Sequence, residues 1–208
     1  KLTIYITCII IKHVKQITIS CSDERKMQKM LELAHKLADS DAKFFGGWVL
    51  AGAEAHIHQP AEAMDNQVLL AKERKSIIRV AGTAADGSLA KELRVFLVLP
   101  KHKLGTKPLE PEAIKGDLLT KHSFTTQEIA DYVAYTGDEN VIHKGEHPIV
   151  PGLCMAAWLQ RELALTELDW RITFVAPVYA GDELCIYRTE GQLAAYVGAI
   201  NVFVIKEL

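Results

Sequence analysis

No Cys-x-x-Cys pair occurs in this 208-residue chain; its four cysteines, Cys8, Cys21, Cys154 and Cys185, stand far apart. That spacing excludes a ribbon-type zinc site and offers no disulfide framework, which fits a reducing cytosol. All four read as small hydrophobes, Cys154 within a buried helix. A charge surplus of either sign is also missing, because 24 Lys+Arg face 26 Asp+Glu for a net charge of −2. Nothing in that balance would draw in nucleic acid or an anionic membrane. No long apolar run marks a membrane span. Residues 2–11 are too short for one, contain Thr3 and Thr7, and lack a small-x-small cleavage site. What is present is 49% hydrophobic and 24% charged residues, a mixture able to bury a core in a soluble, cytoplasmic protein.

Two β-rich segments, residues 2–11 and 14–20, open the chain. Residues 23–37 then place Met27, Met30, Leu31, Ala34 and Leu37 at helical spacing, with Ser22 as N-cap. The small-residue apolar stretch 48–56, after Gly46-Gly47, predicts a buried helix. Strands are predicted at 67–72, 76–84 and 89–99, the last two joined by the hairpin signal Asp86-Gly87. Prolines, a glycine and several lysines between Pro100 and Pro111 mark a linker. The chain thus divides into an N-terminal half (1–105), a linker (106–116) and a C-terminal half (117–208).

The second half opens with a strand at 118–124, and Thr125-Thr126-Gln127-Glu128 has capping-box spacing ahead of a helix running to Tyr135. A loop at 137–148 leads through Pro151-Gly152 to an apolar helix at 153–165, followed by strands at 169–176, 183–189 and 193–205. The halves correspond in outline: Gly47-Trp48-Val49-Leu50 is set against Gly152-Leu153-Cys154-Met155, and Gly87-Ser88-Leu89-Ala90 against Gly191-Gln192-Leu193-Ala194. Each half then offers a short helix, a long apolar helix and three antiparallel strands. A sheet wrapped around one helix leaves an open edge, and a tandem copy covers it within the chain. The expected architecture is α+β, an intrachain pseudo-dimer.

Chemistry concentrates in Thr136-Gly137-Asp138-Glu139-Asn140-Val141-Ile142-His143. Gly137 permits a sharp turn, and in the loop that follows Asp138, Asn140 and His143 can point into one pocket. A histidine beside a carboxylate can share one water and take its proton. Asn140 either holds a substrate carbonyl or fixes the loop, since Asp and Asn also satisfy nearby amides in turns. Downstream, Val150-Pro151-Gly152 brings the chain to a helix N-terminus, where free N–H groups and the helix dipole favour negative charge. A carbonyl oxygen placed at Gly152 would be polarised there.

The order Tyr132-x-x-x-Thr136-Gly137-Asp138-x-Asn140-x-x-His143, then Pro148-Ile149-Val150-Pro151-Gly152, then Arg171-x-x-Phe174-x-x-Pro177-Val178-x-x-Gly181-Asp182-x-Leu184 resembles the MaoC-like hydratase family of the hotdog fold. The resemblance covers residues 124–184. It implies a double hotdog in which Asp138 and His143 are the catalytic pair and Asn140 an accessory residue. Gly152, with Val150 and Pro151 leading to it, would hold the thioester oxygen. It further implies a lyase that adds water syn across a trans-2-enoyl thioester, or dehydrates an (R)-3-hydroxyacyl thioester. The substrate would be carried on CoA or acyl carrier protein, with no cofactor. This chain departs from the family in having Val141 after the asparagine, where proline is usual, and a shorter loop between His143 and Pro148.

The first half resembles the family in layout alone. Its equivalent stretch, Asp39-Ser40-Asp41-Ala42-Lys43-Phe44-Phe45, contains no histidine, so that half is expected to supply pocket and interface. Phe44, Phe45 and Trp48 are candidates to line an apolar tunnel. His143-Lys144-Gly145-Glu146-His147 matches an inverted zinc-peptidase pattern, but Gly145 and Pro148 oppose the helix that chemistry needs, and no metal is expected. His56-Ile57-His58 would share one side of a strand, but at the end of the predicted helix it reads as solvated polarity. Two rival functions remain: a thioesterase using Asp138 or Glu146, and a non-catalytic acyl-thioester-binding subunit. Acyl length, carrier, direction and any homodimer are left open.

Overall fold

A computed structural model describes residues 29–40, 46–101, 110–111 and 113–208. The strands expected at 2–11 and 14–20, the N-cap Ser22, and Phe44 and Phe45 lie outside them, as do residues 106–109 and 112 of the linker. The helix expected at 23–37 is described as α1, Lys29–Ala38, which buries the expected Met30, Ala34 and Leu37 together with Leu33, and leaves the expected Leu31 half-buried.

Four strands follow α1: β1 (Val49–Ile57), β2 (Ala63–Lys72), β3 (Lys75–Thr83) and β4 (Leu89–Val98). The C-terminal half begins with β5 (Asp117–Ser123) and α2 (Thr126–Thr136), then a 3-10 turn at Val141–His143. Helix α3 (Gly152–Glu162) leads to β6 (Leu168–Phe174), β7 (Glu183–Thr189), β8 (Gln192–Val197) and β9 (Ile200–Glu207). These strands form one antiparallel sheet in the order β2-β3-β4-β1-β6-β9-β8-β7-β5. The order is nearly palindromic about the β1–β6 pair.

Three expectations need correction. Residues 48–56 are not a helix: Ala53, Ala55 and Ile57 are fully buried while Glu54 and His56 point the other way. That period of two decides the matter, and the alanine-rich composition misleads because propensity yields to packing. The repeat register also moves. α1 and α3 each precede four strands, so α3 matches α1 and not the segment at Trp48, while Gly191 closes the β7–β8 turn one hairpin before the equivalent of Gly87. Finally, the predicted strand at 193–205 is two strands, turning at Gly198, whose φ of 57° is left-handed.

Elsewhere the local chemistry behaves as read. Thr125 and Glu128 form the reciprocal capping box of α2, with the Glu128 N–H donating to Thr125 Oγ1 at 3.1 Å and the Thr125 N–H donating to Glu128 Oε2 at 2.8 Å. Gly52 sits where the β6 backbone comes close; a Cβ there would lie 2.9 Å from the Ile172 carbonyl oxygen. Helix α3 is buried almost all round, including Leu153, Met155, Trp158 and Leu159. One polar residue in that core joins the halves. Gln160, fully buried on α3, accepts from the Met30 N–H of α1 at 3.1 Å and donates to the Leu165 carbonyl at 3.2 Å.

Gln160→Leu keeps the volume but strands a buried N–H and a buried C=O, each costing roughly 1–3 kcal/mol. The variant is therefore expected to unfold at a clearly lower urea midpoint with an unchanged slope. An unaltered midpoint would show that this bridge contributes nothing to joining the helices.

Candidate active site

The site is built on a loop held at both ends. Gly137 ends α2 in the left-handed conformation, φ 75°, and its N–H donates to Val133 O at 2.9 Å. The chain then doubles back: the Asn140 N–H donates to Asp138 Oδ1 at 3.0 Å and the Ile142 N–H to Asn140 Oδ1 at 3.4 Å. These local bonds occupy one carboxylate oxygen of Asp138 and leave Oδ2 free to face elsewhere.

Oδ2 faces His143. Its distance to His143 Nε2 is 3.5 Å, with the histidine side chain 8% exposed and the aspartate 22%. The other ring nitrogen, Nδ1, lies 2.7 Å from the Ile149 carbonyl oxygen. A carbonyl can only accept, so Nδ1 carries the proton and the neutral ring presents a bare Nε2 to Asp138. Burial holds the His143 pKa below its ordinary 6.5, against the opposing pull of Asp138 and the bond to Ile149, so the neutral form prevails. Two hydrogen-bond acceptors thus face one another at a separation too long for a direct bond. A water lying to one side of the pair, within hydrogen-bond reach of both, can donate to each.

The arm opposite the loop is pinned by the third sequence landmark. Val150 N–H donates to Val178 O at 2.8 Å, Ala180 N–H to Pro148 O at 3.0 Å, and Ile149 bridges Tyr179. The Gly181-Asp182 turn keeps that segment in place, with Asp182 Oδ2 accepting from the Tyr179 N–H at 2.8 Å and the Gly181 N–H donating to Phe124 O. Pro151 is the N-cap of α3, and Cys154 and Met155 N–H groups return to its carbonyl at 3.0 and 3.2 Å. The N–H groups of Gly152 and Leu153 precede that first intrahelical bond and belong to the orphan donors of a helix start. A Cβ on Gly152 would lie 2.8 Å from Phe174 Cζ and 2.9 Å from Leu50 Cδ2, so any larger residue would have to push these two side chains aside.

Asp138, Asn140, His143, Val150, Pro151 and Gly152 all line one cavity of about 380 Å³, within the range of small-molecule sites. The N-terminal half forms its other wall through Leu37 of α1, Trp48 and Leu50 around β1, and Leu97 of β4. Trp48 therefore lines the cavity, as the sequence suggested. Phe174 of the third sequence landmark and Leu50 line it too, and Leu50 is hidden in the sequence because its strand reads as a helix. Glu146 is exposed and does not line the cavity, as is also the case for His147.

Asn140 has its side chain committed. It is 6% exposed, donates through Nδ2 to Trp48 O at 2.7 Å, and accepts from the Gly47 N–H at 3.3 Å. Of the two roles the sequence left open, these bonds serve the fixing of the loop, and they fix it to the other half. Cys154 lies beneath the site with its thiol pushed up to about 12 by burial, far from any thiolate chemistry at neutral pH.

No model of a known protein family matches the sequence, and no curated protein matches it either. Solved structures do. HtdX from Mycobacterium tuberculosis superposes with a TM-score of 0.62 at 16% identity, covering 94% of this chain and 99% of its own. A MaoC-like dehydratase gives 0.59 at 12% identity, covering 90% and 93%. An acyl-ACP thioesterase from Bacteroides thetaiotaomicron gives 0.50 at 14% identity, covering 77% and 75%. The chain has the α+β hotdog fold of the MaoC-like dehydratases, in tandem.

Asn140→Ala removes the anchor between the loop and β1, and is expected to lower stability by about 2 kcal/mol. Hydrogen exchange should quicken at the amides of Gly47 and Ile142. Unchanged exchange at both would show that the loop is held by other contacts.

Proposed function

We propose that the chain is a MaoC-like hydro-lyase that reversibly hydrates trans-2-enoyl thioesters to (R)-3-hydroxyacyl thioesters. The observation that carries this reading is the pair of partly buried acceptors, Asp138 Oδ2 and neutral His143 Nε2, 3.5 Å apart on the wall of a largely apolar cavity. In the hydration direction they hold one water. Its oxygen bonds to C3 as the C2=C3 π bond breaks, and one proton passes to the pair. The electron pair runs through C2 to the thioester oxygen, where the N–H at Gly152 and the positive end of α3 offset the charge. A proton from the pair then returns to C2, so atoms and charge balance.

The apolar walls, including Trp48, Leu50 and Phe174, suit an acyl chain. Leu50 and Trp48 come from the N-terminal half, which gives that half a binding role, while its counterpart of the 137–151 loop precedes α1 and lies outside the described residues. The halves, 1–105 and 117–208 joined by 106–116, then work as one intrachain pseudo-dimer on a CoA or carrier-protein thioester. Neither a metal nor an organic cofactor enters these steps. Among the described residues, no helix is long and apolar enough to cross a membrane.

Thioesterases share the fold, as the Bacteroides structure illustrates. Of the two carboxylates that chemistry could use, only Asp138 lines the cavity, since Glu146 is exposed outside it. Incubating the protein with short- and medium-chain trans-2-enoyl-CoA separates the readings. Loss of the enoyl absorbance without release of free thiol is expected. Thiol release would establish the thioesterase, and silence in both readouts across chain lengths would leave an acyl-binding module.

The acid limb of the pH profile follows from His143. Its folded pKa is lowered, so the base form persists below pH 6.5 and activity should fall only as pH drops through that lowered value. The same shift makes protonation favour the unfolded chain, so stability should also decline below pH 6.5 and be unaffected by this group above it. An acid limb centred above pH 6.5 would contradict the assignment of His143.

A further inference from the structure

We infer that His56, His58 and Asp169 form a binding site for a divalent transition-metal ion of the zinc class, on the face of the sheet opposite the helices. Correcting residues 48–56 to a strand changes the reading of His56-Ile57-His58. Alternation along β1 now turns Ile57 into the core, fully buried, and sends both histidines to the outer face. Asp169 on β6 is the direct cross-strand partner of His56. Both imidazoles converge on one oxygen of that carboxylate: His56 Nδ1 lies 2.7 Å and His58 Nε2 3.2 Å from Asp169 Oδ1. The three ligand atoms all fall within 4.8 Å of one another.

These are borderline nitrogen and oxygen donors, the set that zinc and its first-row neighbours take. Ligand bonds of about 2.0–2.1 Å set neighbouring donors of a tetrahedral site roughly 3.3 Å apart. The two histidine–aspartate separations, 2.7 and 3.2 Å, lie close to that. The side chains are 35%, 50% and 37% exposed, so an ion can enter from solvent, and at least one coordination position remains for water. This site lies outside the cavity that holds Asp138 and His143, and its residues take no part in the proposed hydration. Its place gives it a purpose of its own. β1 belongs to the N-terminal half and β6 to the C-terminal half, so an ion here ties the two halves at their seam.

Titration of the untagged full chain with Zn²⁺ tests this. One equivalent should bind per chain and raise the thermal midpoint. His58→Ala, at an exposed position past the end of the strand, and Asp169→Asn should each weaken binding roughly tenfold or more. In contrast, His143→Ala should bind zinc as the parent does. No binding in the parent, retention of the equivalent in both seam variants, or its loss in His143→Ala would overturn the proposal. Circular dichroism of each variant shows that a lost equivalent does not reflect a lost fold.

Discussion

The antiparallel pairing of β1 with β6 is the constraint on which the rest of this structure depends. It makes one sheet of two repeats and removes the free edge that each half would otherwise present. It also sets what lies opposite what. With Gly52 facing Thr173 across the seam, Leu50 and Phe174 meet over Gly152, and Trp48 stands beside the loop that carries Asp138 and His143. The cavity exists because two halves share a seam, and it has walls from both.

Within that frame the loop is a local solution to local hydrogen-bonding demands. Gly137 turns the chain, Asp138 Oδ1 and Asn140 Oδ1 satisfy amides two residues on, and Asn140 spends its remaining capacity on Gly47 and Trp48. Those bonds leave two atoms unspent. Asp138 Oδ2 and His143 Nε2 are both acceptors, and the Ile149 carbonyl prevents the ring from turning its proton toward the aspartate. A site short of one donor between two acceptors is a site shaped for water. That turns a common Gly-Asp-x-Asn turn into a candidate for proton transfer, and it gives the shortened loop after His143 a fixed geometry despite Val141 in place of proline.

The sequence made the C-terminal half far more legible than the N-terminal one, for physical reasons. Capping and turn signals at Thr125, Glu128, Gly137 and Pro151-Gly152 act within a few residues, so their outcome follows from local spacing. The seam does not. Residues 48–56 are rich in alanine, and what makes them a strand is a pair of neighbours, one on each side in the sheet, that lie 34 or more residues further along the chain. Reading them as a helix displaced the repeat by one element, hid Leu50 as a wall of the cavity, and set His56 and His58 aside. Asn140 was legible as a member of the site, but its partners Gly47 and Trp48 were not, since no local pattern foretells a contact 93 residues away.

If Asp138 and His143 act as one unit on one water, a double-mutant cycle reveals it. Single-turnover hydration rates would be compared for the parent, Asp138→Asn, His143→Ala and the double variant. Groups sharing one proton transfer are non-additive. Losses of about 10²–10⁴-fold are expected in each single variant, with the double variant no slower than the more damaged single. Losses that multiply in the double variant, or a single variant that turns over like the parent, would contradict it.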